Sequence, residues 1–350
     1  MKKIFSFLFL FTMYSVVLFA QAVDPSGAFT YSIPIEVPLG TGNLTPKISL
    51  YYNSNAGNGI CGVGWNLAGL SAICRDASYA INFDAEDHYL LDGQKLIEIN
   101  STSTYQEYRT ERESFLRIRG YHLNTAASYW EVASKSGQVM YYGRIDAQHG
   151  TSNDGHIDAV EKSGKARVWG ISHMEDARGN YYYVTYWEDE ENGDYYPLQI
   201  IYSQNDANRL TSMRTVSFSY EKRDDHYATY NPSMVDTDYR LKWIAVTTKT
   251  NTDGRNGKLI RKYRVDYEYS ESTSRSRITG IQPYGSDGDI PNIPAVASSY
   301  GGTGTSLPAT DIQWEDGKPG WESVPEYAPP YHFMSDEYNQ DFSVRTVDFD

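Results

Sequence analysis

Tyr31-Ser32-Ile33-Pro34-Ile35-Glu36-Val37-Pro38-Leu39-Gly40-Thr41-Gly42 leads through Leu44-Thr45-Pro46-Lys47-Ile48-Ser49-Leu50-Tyr51-Tyr52-Asn53 to Gly57-Asn58-Gly59-Ile60-Cys61-Gly62-Val63-Gly64-Trp65-Asn66-Leu67-Ala68-Gly69-Leu70-Ser71-Ala72-Ile73-Cys74-Arg75. Tyr31, Ile33, Ile35 and Val37 alternate with polar residues and prolines, the period of a half-buried strand. Pro34 and Pro38 cannot donate to a ladder, which puts this strand at a sheet edge or first in a sheet. Ile48, Leu50 and Tyr52 repeat the alternation after a turn. Gly57, Gly59, Gly62 and Gly64 then allow a sharp corner around one large buried indole, Trp65. The stretch predicts an opening β module with a tightly packed glycine corner that ends at Arg75.

Outward from this corner the same signals recur. Tyrosine supplies 31 of 350 residues, and it suits pleated surfaces where one face is buried and the hydroxyl finds a partner. Lys262-Tyr263-Arg264-Val265-Asp266-Tyr267-Glu268-Tyr269 and Thr215-Val216-Ser217-Phe218-Ser219-Tyr220 alternate strictly. Leu241-Lys242-Trp243-Ile244-Ala245-Val246-Thr247-Thr248 is more apolar, as a strand covered on both faces would be. Asp176-Ala177-Arg178-Gly179-Asn180 separates a Trp169 strand from Tyr181-Tyr182-Tyr183-Val184-Thr185-Tyr186-Trp187. Glu191-Asn192-Gly193-Asp194 precedes a strand over 197–202, and residues 251–257 form another turn. No long stretch has apolar residues at helical spacing with caps. The expectation is an all-β chain of large antiparallel, sandwich-like sheets. Polar residues 146–165 divide an N-terminal β module (23–150) from a second antiparallel module (151–324). Residues 284–308 read as a long surface loop, with Ile312-Gln313-Trp314 a last short strand. Residues 325–350 read as a linker and the start of a further repeat.

Lys2 and Lys3, the apolar run 4–19 and Ala20-Gln21-Ala22 fit an export signal over residues 1–22. The run is too short to span a bilayer comfortably, so the expectation is a secreted, extracellular or periplasmic protein with no stable membrane span after cleavage. A net charge of −14 and a pI near 5.0 argue against nucleic-acid binding, which needs a basic surface. Cys61 and Cys74 are the whole thiol inventory. In an oxidising compartment a disulfide between them is expected, worth about 3 kcal/mol in the chain-entropy picture; two buried free thiols are the alternative.

Chemistry-bearing patterns are sparse. Gly57-Asn58-Gly59-Ile60-Cys61-Gly62 matches the form of a dinucleotide fingerprint, but that mechanism needs a helix at the last glycine, and Gly64 and Trp65 follow at once. The histidines (88, 122, 149, 156, 173, 226 and 332) show no zinc-ligand spacing. Neither a nucleophile elbow nor a phosphate-binding loop is present. Acidic runs such as Glu188-Asp189-Glu190-Glu191 read as solvated turns. No catalytic, cofactor or metal residue is assigned.

The order Ile-Pro-Ile, Pro-x-Gly-x-Gly, Leu-x-Pro-x-Ile-x-Leu-x-Tyr, Gly-x-Gly-Trp and Ser-x-Ile-x-Arg in residues 33–75 resembles the start of the Salmonella virulence plasmid B-protein family. That family also supplies the opening part of insecticidal toxin-complex B components and RHS/YD-repeat proteins. Trp169-x-Ile171, Asp176-x-x-Gly179-Asn180-x-Tyr182-x-Val184-x-Tyr186, Tyr263-x-Val265-x-Tyr267 and residues 274–281 extend the resemblance to about Trp314. It implies part of an RHS-type β-shell, non-enzymatic here, that encloses or docks a toxin polypeptide. The implied partners are downstream RHS or propeller domains or a partner toxin subunit. Some members carry an ADP-ribosyltransferase in a separate C-terminal domain, which these residues do not resemble. Val347-Asp348-Phe349-Asp350 looks like the first line of a propeller repeat cut short, so calcium is expected only if such repeats follow. The rival reading is a secreted glycan-binding or glycan-cleaving β-sandwich, since tyrosine and tryptophan also stack on sugars.

Overall fold

The computed structural model describes residues 22–144, 155–208, 214–226, 228–230, 233–248, 257–290 and 303–316. Residues 1–21 of the expected signal peptide, 146–154 of the expected polar connection, the 251–256 part of a turn, 291–302 of the expected surface loop and the 325–350 linker and repeat lie outside them. The described residues hold strands and a single 3-10 turn at Thr41–Asn43, so the all-β expectation holds. A small antiparallel sheet opens the chain, with Ala22–Val23, Phe29–Pro34, Ser49–Asn53 and Trp65–Ala68 side by side. Its first long strand stops at Pro34, where the ladder loses its donor. Ile33 pairs with Leu50, and Leu50 is fully buried.

Ala228–Tyr230 and Met234–Asp236 pair apart as a short hairpin, and the other sixteen strands between Ala72 and Asp311 form one antiparallel sheet. Its first part closes on itself rather than forming the flat face of a sandwich. Ala72–Arg75, Tyr89–Leu91, Gln94–Ser101, Tyr105–Thr110, Arg117–Tyr121, Tyr129–Ala133 and Val139–Tyr142 pair in succession. The long strand Lys162–Glu175 completes the ring, pairing with Ala72–Arg75 through Val168–Gly170 and with Val139–Tyr142 through Ile171–Glu175. Closure removes two sheet edges that would otherwise expose unpaired backbone groups. The interior is aromatic: Trp130 and Trp169 are fully buried, with ring centroids 5.8 Å apart, and Tyr89 lies 4.9 Å from Trp130. The expected division at 150/151 cuts this ring, because its closing strand comes from the second module. The expected loose connection likewise contains a strand, His156–Ala159, paired to Lys162–Glu175.

Beyond the ring the sheet continues through Tyr181–Asp189, Asp194–Gln204, Arg214–Lys222, Tyr239–Thr248, Lys258–Tyr269, Ser276–Tyr284 and Thr310–Asp311. Trp243 to Thr247 are buried without a break, as expected of a strand covered on both faces. The last pairing is Thr310–Asp311 rather than Ile312-Gln313-Trp314; Ile312 adds one backbone bond to Thr279.

The tyrosine content has a specific physical use. Tyr186, Tyr202 and Tyr220 are buried rings whose hydroxyls donate to the carbonyls of Ile171 at 2.8 Å, Pro38 at 3.0 Å and Pro197 at 2.6 Å. Tyr267 does the same to Leu241 at 2.6 Å. Each ring fills core space while its hydroxyl satisfies a carbonyl at a bulge or strand end.

Candidate functional site

The glycine corner forms where Asn58–Gly59 and Gly62–Val63 pair as a minimal hairpin. No helix follows the glycines, so the dinucleotide pattern has no pyrophosphate-binding end. Gly62 adopts φ 79°, and a Cβ there would sit 2.6 Å from the Ser276 carbonyl oxygen. Gly64 adopts φ 76°, and a Cβ would meet the Tyr52 ring at 2.4 Å. Gly57 has open space around it. Trp65 is 2% exposed and packs on Tyr52 at 5.4 Å and Tyr31 at 6.3 Å.

The corner is clamped to the large sheet by a buried ion pair. Arg223 donates to the Gly59 carbonyl at 2.8 Å, to Asn58 Oδ1 at 2.6 Å and to Asp225 at 2.7 Å. Asp225 also accepts from the backbone N–H of Ser276 at 2.6 Å. Burial tends to raise the Asp225 carboxyl, but the Arg223 and Ser276 hydrogen bonds outweigh it and hold the group well below the ordinary carboxylate range. The Leu241 N–H completes the dock on the Ile60 carbonyl at 2.7 Å. Spacing flags neither Arg223 nor Asp225 as a clamp, since their partners in the glycine corner, Asn58 and Gly59, lie more than 160 residues away in sequence.

Arg75 ends the motif inside the closed ring. It is 3% exposed. Its Nε donates to the Ala166 carbonyl at 2.8 Å and its Nη2 to Asn124 at 2.9 Å. Asp87 pairs with it, both side chains being fully buried, and the guanidinium lies over the Phe83, Tyr89 and Trp169 rings. Asp87 also accepts from the Asn82 and Phe83 N–H groups, both at 2.8 Å. Charge, hydrogen bonds and aromatic faces together compensate the buried cation.

The expected Cys61–Cys74 disulfide is not formed; both residues are free thiols. Their surroundings differ. Cys61 lies near Arg223, Tyr220 and Tyr267, and burial pushes its thiol up to about 12. Cys74 sits in the ring wall opposite Leu90 and Val168, near Arg167, and burial raises its thiol as well.

Folding also gathers residues that sequence spacing leaves apart. His226 Nδ1 lies 3.3 Å from Asp236 and 3.7 Å from Asp238, and the three ligand atoms fall within 4.8 Å of one another. Lys222 stands 3.8 Å from Asp238, so a cation already shares this exposed cluster.

Known proteins share this architecture. The profile of the family described as Salmonella virulence plasmid 65kDa B protein matches residues 23–245. The mono(ADP-ribosyl)transferase SpvB of Salmonella choleraesuis (strain SC-B67) is 24% identical over 218 residues, which are 55% of this chain and 34% of that protein. The match thus spans about a third of the curated relative's length. The crystal structure of TcdB2-TccC3 superposes with a TM-score of 0.66 at 18% identity, covering 85% of this chain and 17% of that one. The N-terminal domain of effector protein SpvB from Salmonella typhimurium strain LT2 gives 0.59 at 16% identity, over 73% of this chain and 98% of that one. At these identities the structures establish a shared fold.

Proposed function

Because the chain belongs to the Salmonella virulence plasmid 65kDa B protein family, we propose that it is a non-enzymatic wall module of an exported toxin-like assembly. Its task is to enclose or dock a toxin polypeptide supplied by downstream domains or a partner subunit. The observation that carries this reading is the single sheet running from the closed ring to Thr310–Asp311, a continuous surface rather than a cleft. The glycine corner and the Arg223–Asp225 clamp fasten the small opening sheet onto that wall. No helix among the described residues is long and apolar enough to cross a membrane.

The glycan-binding reading loses the two tryptophans that could best carry it. Trp243 is 1% exposed, and Trp187 spends its faces on Tyr196 and Tyr239, with centroids at 4.9 and 4.7 Å. The test is hydrogen exchange on the purified chain, alone and mixed with the polypeptide encoded beside it. The wall reading expects fast exchange at the last strands, 276–284 and 310–311, and slowing there when the partner is added. A monomer with those strands fully protected and no partner-dependent change would overturn it, as would transferase activity in the isolated chain.

A further inference from the structure

The short hairpin of Ala228–Tyr230 and Met234–Asp236 lies outside the large sheet and carries a nitrogen and two carboxylates at its root. Ala228 pairs with Asp236. Two residues further from the turn, on either side, stand His226 and Asp238. Each of the three is held by its own backbone. The Asp236 N–H donates to the Asn192 carbonyl at 2.9 Å, and the Asp238 carbonyl accepts from the Arg223 N–H at 3.0 Å. His226 directly follows Asp225, whose carboxylate is fixed by Arg223 and the Ser276 N–H. The group is therefore set by strands and clamps, not gathered by a free loop. His226 Nδ1 faces Asp236 at 3.3 Å and Asp238 at 3.7 Å, and one ring atom donates to only one of them at a time. All three side chains are open to solvent, His226 at 56%, Asp236 at 22% and Asp238 at 20%. Lys222 reaches Asp238 at 3.8 Å, but it is 69% exposed, so it leaves at little cost.

We propose that His226 Nδ1 and one oxygen each of Asp236 and Asp238 bind a divalent transition metal ion, zinc fitting best, which pins the hairpin at its root. Imidazole nitrogen and carboxylate oxygen bind zinc at about 2.0–2.2 Å, which sets tetrahedral ligands about 3.3–3.6 Å apart. The two nitrogen–oxygen separations already stand at that spacing. The three ligand atoms all lie within 4.8 Å of one another, so rotation of the aspartates closes the set, and water takes the fourth position. Calcium and magnesium favour all-oxygen shells of six or more ligands. Two carboxylates and a nitrogen supply too few oxygens for them, and the imidazole selects for the zinc class. Binding needs a neutral imidazole and ionised carboxylates, so protons compete with the metal. A bound ion links the chain entering the hairpin, at His226, to the chain in and after its second strand, at Asp236 and Asp238. The site is independent of the wall reading, and either can fail alone.

Titration calorimetry on the whole chain, stripped with a chelator, tests it with zinc chloride and calcium chloride as the two probes. Zinc should bind about 100-fold more tightly than calcium, as a site with a nitrogen ligand would and a purely acidic patch would not. His226→Ala and Asp236→Asn should each weaken zinc about 10-fold or more, because a ligand is lost. Glu86→Gln, which removes a separate exposed carboxylate, should leave zinc binding unchanged. Lowering the pH from 7.5 to 5.5 should weaken zinc about 10-fold, since the imidazole must shed its proton to bind. Hydrogen exchange on the unmutated chain gives a reading that needs no variant to fold: amides of 228–230 and 234–236 should slow when zinc is added. Absence of zinc binding overturns the proposal, as does calcium binding equally well. So does zinc affinity that survives loss of His226, or that falls as far with Glu86→Gln. Unchanged exchange in the hairpin with zinc bound would likewise overturn it.

Discussion

At Gly62 and Gly64 one hydrogen atom decides whether the opening sheet can dock. Both have positive φ, and a Cβ at either would press on the Ser276 carbonyl or the Tyr52 ring. Gly93 has φ 78° with open space around it, and Gly57 has open space without a positive φ. Alanine at Gly57 should therefore leave the urea midpoint nearly unchanged. At Gly93 it should cost about 1 kcal/mol of backbone strain, and at Gly62 or Gly64 a further 1–3 kcal/mol of overpacking. Equal losses at all four would show that contact with Ser276 and Tyr52 is not what selects glycine. Asp225 gives the residue scale a pH signature. Its folded pKa lies below the unfolded value of about 3.9, so its stabilisation is present above that value and drains away as pH falls below about 4. Asp194 works oppositely, being raised by burial: its share is present below the unfolded value and is lost as pH rises through the folded one. Asp225→Asn should flatten the acid limb of a stability–pH curve, whereas Asp194→Asn should leave that limb in place. The thiols add a third expectation. Denatured, unreduced protein should titrate two thiols with a disulfide-exchange reagent, and in the native protein Cys61 should react far more slowly than a free cysteine, because its thiolate is scarce at neutral pH. A count of zero in the denatured protein would restore the disulfide.

Among the elements, the strand Lys162–Glu175 binds the most parts together. It closes the ring, supports His156–Ala159 and hands the sheet on to Tyr181–Asp189. Its Trp169 is fully buried and donates to Ser128 Oγ at 3.1 Å. Trp169→Ala should cost about 3–5 kcal/mol, read as a lower denaturant midpoint. Arg75→Met should cost a similar amount by stranding the Asp87 carboxylate inside the ring. A loss below 1 kcal/mol in either would mean that the ring core relaxes around the change. The strands beyond the ring were legible in the sequence because period-2 alternation over 181–187, 215–220 and 262–269 is a local signal. The corner was legible as a motif for the same reason. What alternation cannot convey is partner choice. The pairing of Val139 with Glu175 and of Ile73 with Trp169 joins segments of similar pattern far apart in the chain, so closure into a ring was invisible. Lys262 shows a second limit. Its place in an alternating run predicts solvent, yet it is fully buried, with Nζ on the Asp289 carbonyl at 2.8 Å and the Trp243 ring at 5.4 Å. The docking of Arg223 and Asp225 onto the glycine corner was hidden likewise, because Asn58, Gly59 and Ser276 meet them only in the folded sheet.

For the molecule as a whole, ring closure makes the two halves of the sequence one cooperative body. A polypeptide ending at residue 150 keeps seven of the ring's strands but lacks Lys162–Glu175. That leaves the edges of Ala72–Arg75 and Val139–Tyr142 bare and Trp130 without Trp169. Exposed, unpaired strands of this kind recruit other chains. Residues 23–150 alone should therefore be aggregated or molten, with no cooperative urea transition, and residues 151–324 should fail similarly, since their first long strand has lost both ring neighbours. Mixing the two halves during refolding should restore a single transition close to that of the joined chain. This restoration requires non-local pairing to form between chains, so it should be slow and concentration-dependent. Cooperative, monomeric unfolding of residues 23–150 by itself would show instead that the first seven strands can seal without the eighth. In that case the wall would be built from separable bricks rather than a single continuous weave.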